Sequence, residues 1–366
     1  MDDFETIREV LRKTYNILDA RVTKLNGYLD KNFWVKDDKT SKQYILRIIC
    51  QKRFTKITKR MDALINHLHS HGFKVPTLLR TNDGRARITE KFANNSEGFV
   101  ERQIQVSDFI SGRSVFESDL NPSDLVEIAN DVGMLGGLVN KCISEKFSIN
   151  SLIENTDDED SKFIWFTENF YDMKIYLPLV RDAQLQKIIS QFFELFKTKV
   201  PSQLKHLRYG LVHGDFSDMN IILTDESSDE ETRLRSSVKD KYGIIDFEHC
   251  HHSPVVFDLT VCMAYMMTKA ASANADPMLV GGNVLDGFRQ NFPLNKAEKD
   301  ILFCGVMARL VSSFLMSLHS LELQPENKGY VTGQSSQCPQ LIRMLWMRGE
   351  HPVTNSWLPG DNPHMT

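Results

Sequence analysis

The sequence predicts an α+β protein of two lobes, a small lobe built on an antiparallel sheet and a larger, mainly helical lobe. Short apolar and β-branched runs dominate the first hundred or so residues, whereas apolar positions recur at helical spacing through most of the remainder. Two further short apolar runs lie within the helical part, and each borders acidic side chains. We therefore expect a small lobe over residues 1–108, a larger lobe over residues 109–350 and a loosely ordered tail over residues 351–366.

The composition limits the classes of function. The formal net charge is −4, which gives no basic surface for nucleic acid or an anionic membrane. The N-terminal segment alternates acids and bases rather than forming the apolar run of a signal peptide, and we expect no stretch near the roughly 20 apolar residues of a membrane span. The 6 cysteines form no C-x-x-C pair, as is typical of reduced thiols inside cells. We therefore expect a cytoplasmic protein that binds neither nucleic acid nor membrane.

The small lobe is predicted from strand-like runs and two helical patterns. An amphipathic helix opens the chain, and strands follow near residues 22–25, 33–35, 44–50, 86–89 and 101–109. Arg47 is the lone charged residue of the third run, and it needs a partner or a ligand unless it reaches solvent from an edge strand. The helix predicted near residues 55–71 should carry the acid that pairs with Arg47, and the acid found there is Asp62, in an uncertain register.

The large lobe opens with a helix from Asn121 to about residue 144, because Asn-Pro-Ser-Asp is a strong helix start. Its Gly133, Gly136 and Gly137 predict close packing against a neighbouring element. Residues 225–241 are polar and acidic without an apolar period, so we expect a solvated loop there.

Two apolar helices follow in the large lobe. The first begins after Asp258, an acid that is favourable in the first turn of a helix. The second, residues 297–322, contains Arg309 among apolar neighbours, with no acid three or four positions away. A buried guanidinium without a counter-charge is costly, so we expect Arg309 either to reach water or to bind an anion.

The two apolar runs inside the large lobe carry the residues that indicate the chemistry. Ile-Ile-Leu follows a turn that holds His213, Asp215 and Asn220, and Tyr-Gly-Ile-Ile ends directly in Asp246. This Asp-to-Asn separation is that of the kinase catalytic loop, and Asp246 stands where the kinase D-F-G motif begins. Phosphoryl transfer needs a carboxylate to orient the attacking hydroxyl and oxygen ligands for Mg²⁺. We predict Asp215 and His213 as catalytic residues and Asn220 and Asp246 as Mg²⁺ ligands; a hairpin that carries Asp and Asn in its turn by chance is the alternative.

The motif HGDFSDMN, followed by IDFE, resembles the aminoglycoside phosphotransferase and choline kinase superfamily of small-molecule kinases. The later segments VGGNVLDGF, PLNKAEKDILF and LQPENKGY are similar to those of the hydroxylysine kinases within it. This resemblance covers most of residues 5–348. It implies a bilobed, protein-kinase-like fold and transfer of the γ-phosphoryl group of GTP, with ATP as the other donor, to 5-hydroxy-L-lysine in lysine degradation.

The resemblance also implies nucleotide-binding residues in the small lobe. Gly27 and Asn32 belong to a loop over the phosphates, although an ordinary hairpin turn is the alternative because the full glycine pattern is missing. Arg47 would offer the phosphates a bidentate fork. The backbone of Asp108 and Ile110 would bind the base.

Further residues of the large lobe are implied for the acceptor and for the loop. Asp258 would steady the catalytic loop, and Glu248 is the acid nearest the chemistry for the ammonium groups of the acceptor. Trp165 resembles a tryptophan of the hydroxylysine kinases, with core packing as its alternative, and we assign Arg309 to the carboxylate of the acceptor. Two other functions stay open, a kinase for choline, ethanolamine or homoserine and an inactive kinase-like binding module. The intact catalytic and metal residues argue against the second.

Overall fold

The computed structural model describes residues 3–25, 30–50, 54–94, 98–146, 163–225, 236–323, 333 and 335–359. The chain forms two compact units, Met1–Ser111 and Gly112–Thr366. Gly27, most of the acidic insert and the LQPENKGY segment after its first residue lie outside the described residues. The assignment of nucleotide binding to a lobe that ends at residue 108, and of catalysis to the rest, stays a prediction.

The first unit is built on an antiparallel sheet in the order β1-β2-β3-β5-β4. Its strands are β1 Ala20–Leu25, β2 Lys31–Asp37, β3 Gln43–Ile49, β4 Ile88–Asn94 and β5 Gly98–Asp108, and its helices are Asp3–Tyr15 and Phe54–Ser70. Alternate residues of β3 are buried, as a sheet with one covered face requires. Leu46 therefore enters a core that also contains Ile7 and Leu11 of the first helix, whereas Arg47 lies on the more exposed face.

The second unit contains two small antiparallel sheets that position two loops. Strands β6 Gly112–Ser114, β8 Ile221–Thr224 and β9 Tyr242–Ile244 form one sheet, and β7 Tyr209–Val212 pairs with β10 His251–Pro254 in the other. The loop from β7 to β8 and the loop from β9 to β10 therefore connect the same two pairs of strands. Because both ends of each loop are held by hydrogen-bonded partners, the two loops lie side by side.

The remainder of the second unit is mainly helical. Its helices include Pro122–Lys146, Ala183–Gln203, Val238–Lys241, Val256–Ser272, Pro277–Asn291, Lys296–Asp300, Leu302–Leu323, Cys338–Arg348 and Glu350–Trp357, with 3-10 segments at Thr167–Leu179, Leu204–His206 and Phe247–His249. Helices Pro122–Lys146 and Pro277–Asn291 are in backbone contact. A Cβ added at Gly133 would lie 2.0 Å from the carbonyl oxygen of Val284, and one at Gly137 would lie 2.4 Å from that of Phe288. The close packing predicted from the glycines is confirmed.

The helix Leu302–Leu323 corrects the expectation about membrane-spanning stretches. It has 22 residues and is long and apolar enough to cross a membrane by length and composition alone. However, 83% of its most apolar window is buried within the structure, which is also the property of a helix at the centre of a protein core.

The described part of the expected loose tail, up to residue 359, differs from that expectation. Residues Glu350–Trp357 form a helix, and the Trp357 side chain is 1% exposed. Burial of a tryptophan and of the neighbouring Val353 outweighs the Pro- and Gly-rich local composition on which the expectation rested. The described chain is therefore anchored up to this helix.

Candidate active site

Asp215 lies in the loop from β7 to β8, and its carboxylate is held from two sides. Oδ2 accepts a hydrogen bond of 2.8 Å from the Asn220 amide nitrogen, which also donates to the Asp215 carbonyl at 2.9 Å. Oδ1 accepts a hydrogen bond from Nη2 of Arg309. The carboxylate therefore has a fixed orientation, while 19% of the side chain stays exposed.

Asn220 and Asp246 lie at adjacent ends of paired strands. Ile221 is the register partner of Ile244, and the Ile245 N–H donates to the Asn220 carbonyl at 2.9 Å. Asp246 itself has left-handed backbone angles of φ 61° and ψ 64°, which aspartate adopts more readily than most residues. The Asn220 amide nitrogen donates to Asp215, so the amide oxygen is the atom of this side chain that can coordinate a metal. An amide oxygen beside a carboxylate is a donor set that fits a magnesium ion.

His213 is 1% exposed, and both of its ring nitrogens are engaged. Nε2 lies 2.9 Å from the Ile245 carbonyl oxygen, which can only accept, so Nε2 carries the proton. Nδ1 accepts the Asp215 backbone N–H at 3.2 Å. The ring is therefore the neutral Nε2–H tautomer, and neither nitrogen faces a substrate. These contacts give His213 a role in positioning the two loops rather than the catalytic role expected from the sequence.

Asp258, on the helix Val256–Ser272, fixes the loop from β7 to β8. Its two carboxylate oxygens accept the backbone N–H groups of His213 and Gly214, each at 2.8 Å. Burial raises the pKa of Asp258, and the two backbone hydrogen bonds oppose that rise. Gly214 has a φ of +80°, and a Cβ there would lie 2.2 Å from the carbonyl oxygen of His249. The aspartate and the glycine together allow the loop to pass this close to its neighbour.

Arg309, on the helix Leu302–Leu323, is buried next to the Asp215 carboxylate. It is 4% exposed, so the expectation that it could reach water is wrong. Nε donates to the Tyr265 hydroxyl at 3.2 Å, and Cζ lies 5.1 Å and 4.9 Å from the ring centres of Trp165 and Tyr265. Although burial opposes it, the proximity of Tyr265 and Asp215 raises the pKa of Arg309. The guanidinium is thus a charged group within cation–π distance of two aromatic rings.

Tyr265 is a residue of this cluster that the reasoning from local spacing missed. Burial raises its pKa to about 12, so its hydroxyl stays protonated. Tyr265 follows Asp258 by seven positions on one helix, which is close to two turns and places both on one face. This seven-residue spacing was the signal in the sequence by which Tyr265 could have been found. Trp165 is half-buried beside Arg309, and Glu248 is half-buried on the turn that follows Asp246.

A second polar cluster supports the loop from β9 to β10. Glu168 accepts a hydrogen bond from Ser253, and its Oε2 lies 3.7 Å from Nε2 of His251. The His251 ring stacks on Phe166 with 3.5 Å between ring centres, and its Nδ1 donates to the His249 carbonyl at 2.8 Å. Although burial raises it, the neighbouring His251 and the hydrogen bond from the Ser253 hydroxyl hold the pKa of Glu168 below its ordinary value. The His249 carbonyl so fixed is the one that Gly214 approaches.

In the first unit, Asp62 has a different partner from the one considered for it. Arg87 donates from Nη1 and Nη2 to the two oxygens of Asp62 at 2.7 Å each, and from Nε to Gln105 at 2.8 Å. Arg47 is the register partner of Asn32 and donates from Nε to its side-chain oxygen at 3.1 Å. Asp62 is therefore paired with Arg87 and does not supply a counter-charge for Arg47.

Asp108 is the last residue of β5 and is tied to Thr77. Its backbone N–H donates to the Thr77 carbonyl at 3.0 Å, and its carboxylate accepts from the Thr77 hydroxyl. The Asp108 N–H can therefore reach a nucleotide base only by leaving Thr77. Ile110 follows, half-buried, and Gly27 lies outside the described residues, so the binding of a base and of phosphates here stays a prediction.

The chain is similar to known phosphotransferases over most of its length. A model of the phosphotransferase enzyme family matches residues 21–290. The hydroxylysine kinase of Xenopus laevis is 26% identical over 360 residues, which cover 95% of this chain and 91% of that protein. The hydroxylysine kinase of Danio rerio is 24% identical over 353 residues, covering 96% and 93%. A solved structure of a microcompartment-associated aminopropanol kinase matches with a TM-score of 0.60 at 16% identity, covering 94% of this chain and 98% of its own, which shows a common fold.

Proposed function

Since this chain belongs to the phosphotransferase enzyme family and is a phosphotransferase with an alcohol group as acceptor, we propose that it transfers the γ-phosphoryl group of GTP to the hydroxyl of 5-hydroxy-L-lysine. The observation that carries the proposal is the Asp215 carboxylate, held between Asn220 and Arg309 on a loop beside Asp246. Near full-length similarity to hydroxylysine kinases supports the acceptor. The choice of GTP over ATP and a place in lysine degradation rest on the same resemblance, whereas a cytoplasmic location rests on the composition and the cysteine pattern. The α+β fold predicted from the sequence, an antiparallel-sheet part followed by a mainly helical part, is confirmed.

In the proposed reaction the acceptor hydroxyl lies against the exposed edge of Asp215. Each carboxylate oxygen already accepts one hydrogen bond, so the carboxylate cannot rotate and its remaining lone pairs are directed. The acceptor oxygen forms a bond to the γ-phosphorus while the bond to the bridging oxygen breaks, and the hydroxyl proton passes to Asp215. The transition state of phosphoryl transfer is loose, so orientation of the hydroxyl contributes more than removal of its proton.

Asn220 has two functions in this proposal. Its amide nitrogen orients Asp215, and its amide oxygen together with the Asp246 carboxylate would hold the metal. When bound there, a magnesium ion supplies charge neutralisation for the transferred phosphoryl group. Replacing Asn220 by aspartate would set two carboxylates against each other in place of the present hydrogen bond. The amide is therefore the one side chain of this size that can serve both neighbours.

The remaining residues predicted from the sequence are assigned either to the nucleotide or to the acceptor. In the first unit we assign Arg47, which bonds Asn32, and the backbone around Asp108 to the nucleotide. In the second unit we assign Glu248 to an ammonium group of the acceptor and Trp165 to its carbon chain. Hydroxylysine carries two ammonium groups and one carboxylate, so its pocket requires both acidic and basic side chains.

A phosphorylation assay that crosses two donors with four acceptors tests the proposal. The purified full chain is incubated with GTP or ATP and with 5-hydroxy-L-lysine, choline, ethanolamine or homoserine, and the phosphorylated product is identified by mass spectrometry. We expect the highest kcat/KM for GTP with 5-hydroxy-L-lysine. The Asp215→Asn variant is the matched control, because it keeps the shape of the side chain and removes its charge.

Two outcomes would replace the proposal. A preference for choline or ethanolamine with ATP would identify a kinase of simpler amino alcohols, a class to which the aminopropanol kinase with this fold belongs by its description. Tight nucleotide binding without turnover of any acceptor would indicate an inactive binding module.

A further inference from the structure

One nitrogen of Arg309 has no hydrogen-bond partner among the residues that the structure describes. Nη1 is buried, whereas Nε bonds the Tyr265 hydroxyl and Nη2 bonds Asp215. A buried charged donor without an acceptor is costly, and such groups in folded proteins are usually completed by a ligand or by water. The unused donor is therefore a reason to look for a ligand at this position.

The position of Nη1 is fixed by the other contacts of the side chain. A guanidinium is planar, so the hydrogen bonds of Nε and Nη2 set the plane in which Nη1 lies. Trp165 and Tyr265 flank the group with ring centres 5.1 Å and 4.9 Å from Cζ. Nη1 consequently lies one guanidinium width from the nitrogen that bonds Asp215, in a group close to the half-buried Trp165.

The two oxygens of Asp215 separate the metal side of the site from the Arg309 side. Oδ2 bonds Asn220, the proposed metal ligand, and Oδ1 bonds Arg309. The phosphoryl group, which travels with the metal, belongs on the Asn220 side. The group that Nη1 meets therefore belongs to the acceptor, and a guanidinium selects an oxygen anion there.

We propose that Nη1 of Arg309 binds the carboxylate of the acceptor, which makes Arg309 the residue that selects a hydroxy amino acid over a simple amino alcohol. This inference rests on the proposed function. In 5-hydroxy-L-lysine three carbons separate the hydroxyl carbon from the carboxyl carbon. One acceptor molecule can therefore contact Asp215 with its hydroxyl and Arg309 with its carboxylate.

The test compares two acceptors that differ only in this carboxylate. 5-Hydroxy-L-lysine and its decarboxylated counterpart, 1,5-diaminopentan-2-ol, are assayed with the wild type and with Arg309→Met. Because Arg309 also holds Asp215, the variant should be slower with both acceptors, and only the ratio of their kcat/KM values isolates recognition of the carboxylate. We expect the wild type to prefer hydroxylysine roughly 10- to 100-fold, from one hydrogen bond to a charged group, and the variant to lose that preference. Nucleotide affinity should be unchanged.

Tyr265→Phe is the matched control. It removes the hydrogen bond to Nε but keeps the guanidinium, its bond from Nη2 to Asp215 and the aromatic ring beside Cζ, so the preference for hydroxylysine should fall less than in Arg309→Met. A ratio that is the same in the wild type and in Arg309→Met would overturn the proposal. If Arg309→Met fails to fold by circular dichroism, the wild type is assayed with hydroxylysine and its neutral carboxamide instead. A kcat/KM that is lower for the carboxamide by the same factor supports the proposal, and equal kcat/KM values for the two compounds overturn it.

Failure of the proposed function gives a different result. If the wild type phosphorylates neither acceptor, hydroxylysine is not the substrate, and titration calorimetry then measures binding of the two compounds. If hydroxylysine binds more tightly than both the diamine and the carboxamide, recognition of the carboxylate at this site is still supported. Equal binding of the compounds would overturn it.

Discussion

Replacement of Asp258 by alanine should disable the catalytic loop and leave the rest of the protein folded. The carboxylate is 2% exposed and accepts the N–H groups of His213 and Gly214 at 2.8 Å each. A buried donor left unsatisfied costs about 1–3 kcal/mol, so the two N–H groups amount to about 2–6 kcal/mol. Burying a carboxylate costs free energy, as the raised pKa of Asp258 reflects. The variant avoids this cost and so recovers part of the lost stability. We expect a net loss of roughly 2–4 kcal/mol in the free energy of unfolding.

Asp258→Asn separates the hydrogen bonds from the charge. Its amide oxygen can accept one of the two N–H groups, while its amide nitrogen would face the other as donor against donor. We expect a loss of about 1–3 kcal/mol, that of a single unsatisfied group. Both variants should lower kcat, because His213 and Gly214 directly precede Asp215, and a displacement of about 1 Å at a reacting group costs on the order of 100-fold.

Urea unfolding followed by circular dichroism measures the stability, and kcat is measured where each variant is fully folded. Asp276→Ala is the control, because Asp276 accepts the Met278 N–H at 2.8 Å as the cap of its own helix. Loss of that cap should cost about 0.5–2 kcal/mol and leave kcat unchanged. Wild-type kcat in folded Asp258→Ala, or an unfolding free energy within about 0.5 kcal/mol of the wild type, would refute the reasoning.

Three further changes test the site. Asp215→Asn should lower turnover by about 10²–10⁴-fold with nucleotide affinity nearly retained, and wild-type turnover in the folded variant would exclude Asp215 as the base. Asp246→Ala should abolish activity and the dependence of nucleotide binding on magnesium, so a binding isotherm that magnesium still tightens as in the wild type contradicts the metal assignment. Glu168→Gln should destabilise the protein at neutral pH, because a carboxylate with a lowered pKa stabilises the fold only while it is ionised. That difference should shrink as the pH falls below about 4.3, and urea midpoints whose difference does not change with pH would argue against a lowered pKa of Glu168.

The spacing of Asp215, Asn220 and Asp246 predicted that the loops carrying them lie together, because the fold makes that spacing local. Both loops connect the same two pairs of strands, so residues at fixed distances from the strand ends must meet. The Asn-Pro-Ser-Asp start likewise predicted the glycine-lined helix, and its glycines predicted the close contact that Gly133 makes.

Partners that lie far apart in the chain were not accessible to the same reasoning. Arg309 and Asp215 are 94 positions apart, and nothing in the spacing of either segment selects the other. The fork from Arg87 to Asp62 depends in the same way on how a strand meets a helix. Burial of Trp357 was missed for a different reason, because local composition favoured a loose tail and only the packed core supplies a place for the ring.

The contact between helices Pro122–Lys146 and Pro277–Asn291 reverses a common rule of protein engineering. Replacing a glycine in a helix by alanine ordinarily gains about 1 kcal/mol through helix propensity. At Gly133 and Gly287 the new methyl group would meet a carbonyl oxygen at 2.0 Å, and a backbone oxygen cannot turn away as a side chain can. An automated search for stabilising substitutions that scores helix propensity alone would therefore select Gly133 and Gly287, where this enzyme least tolerates a larger side chain.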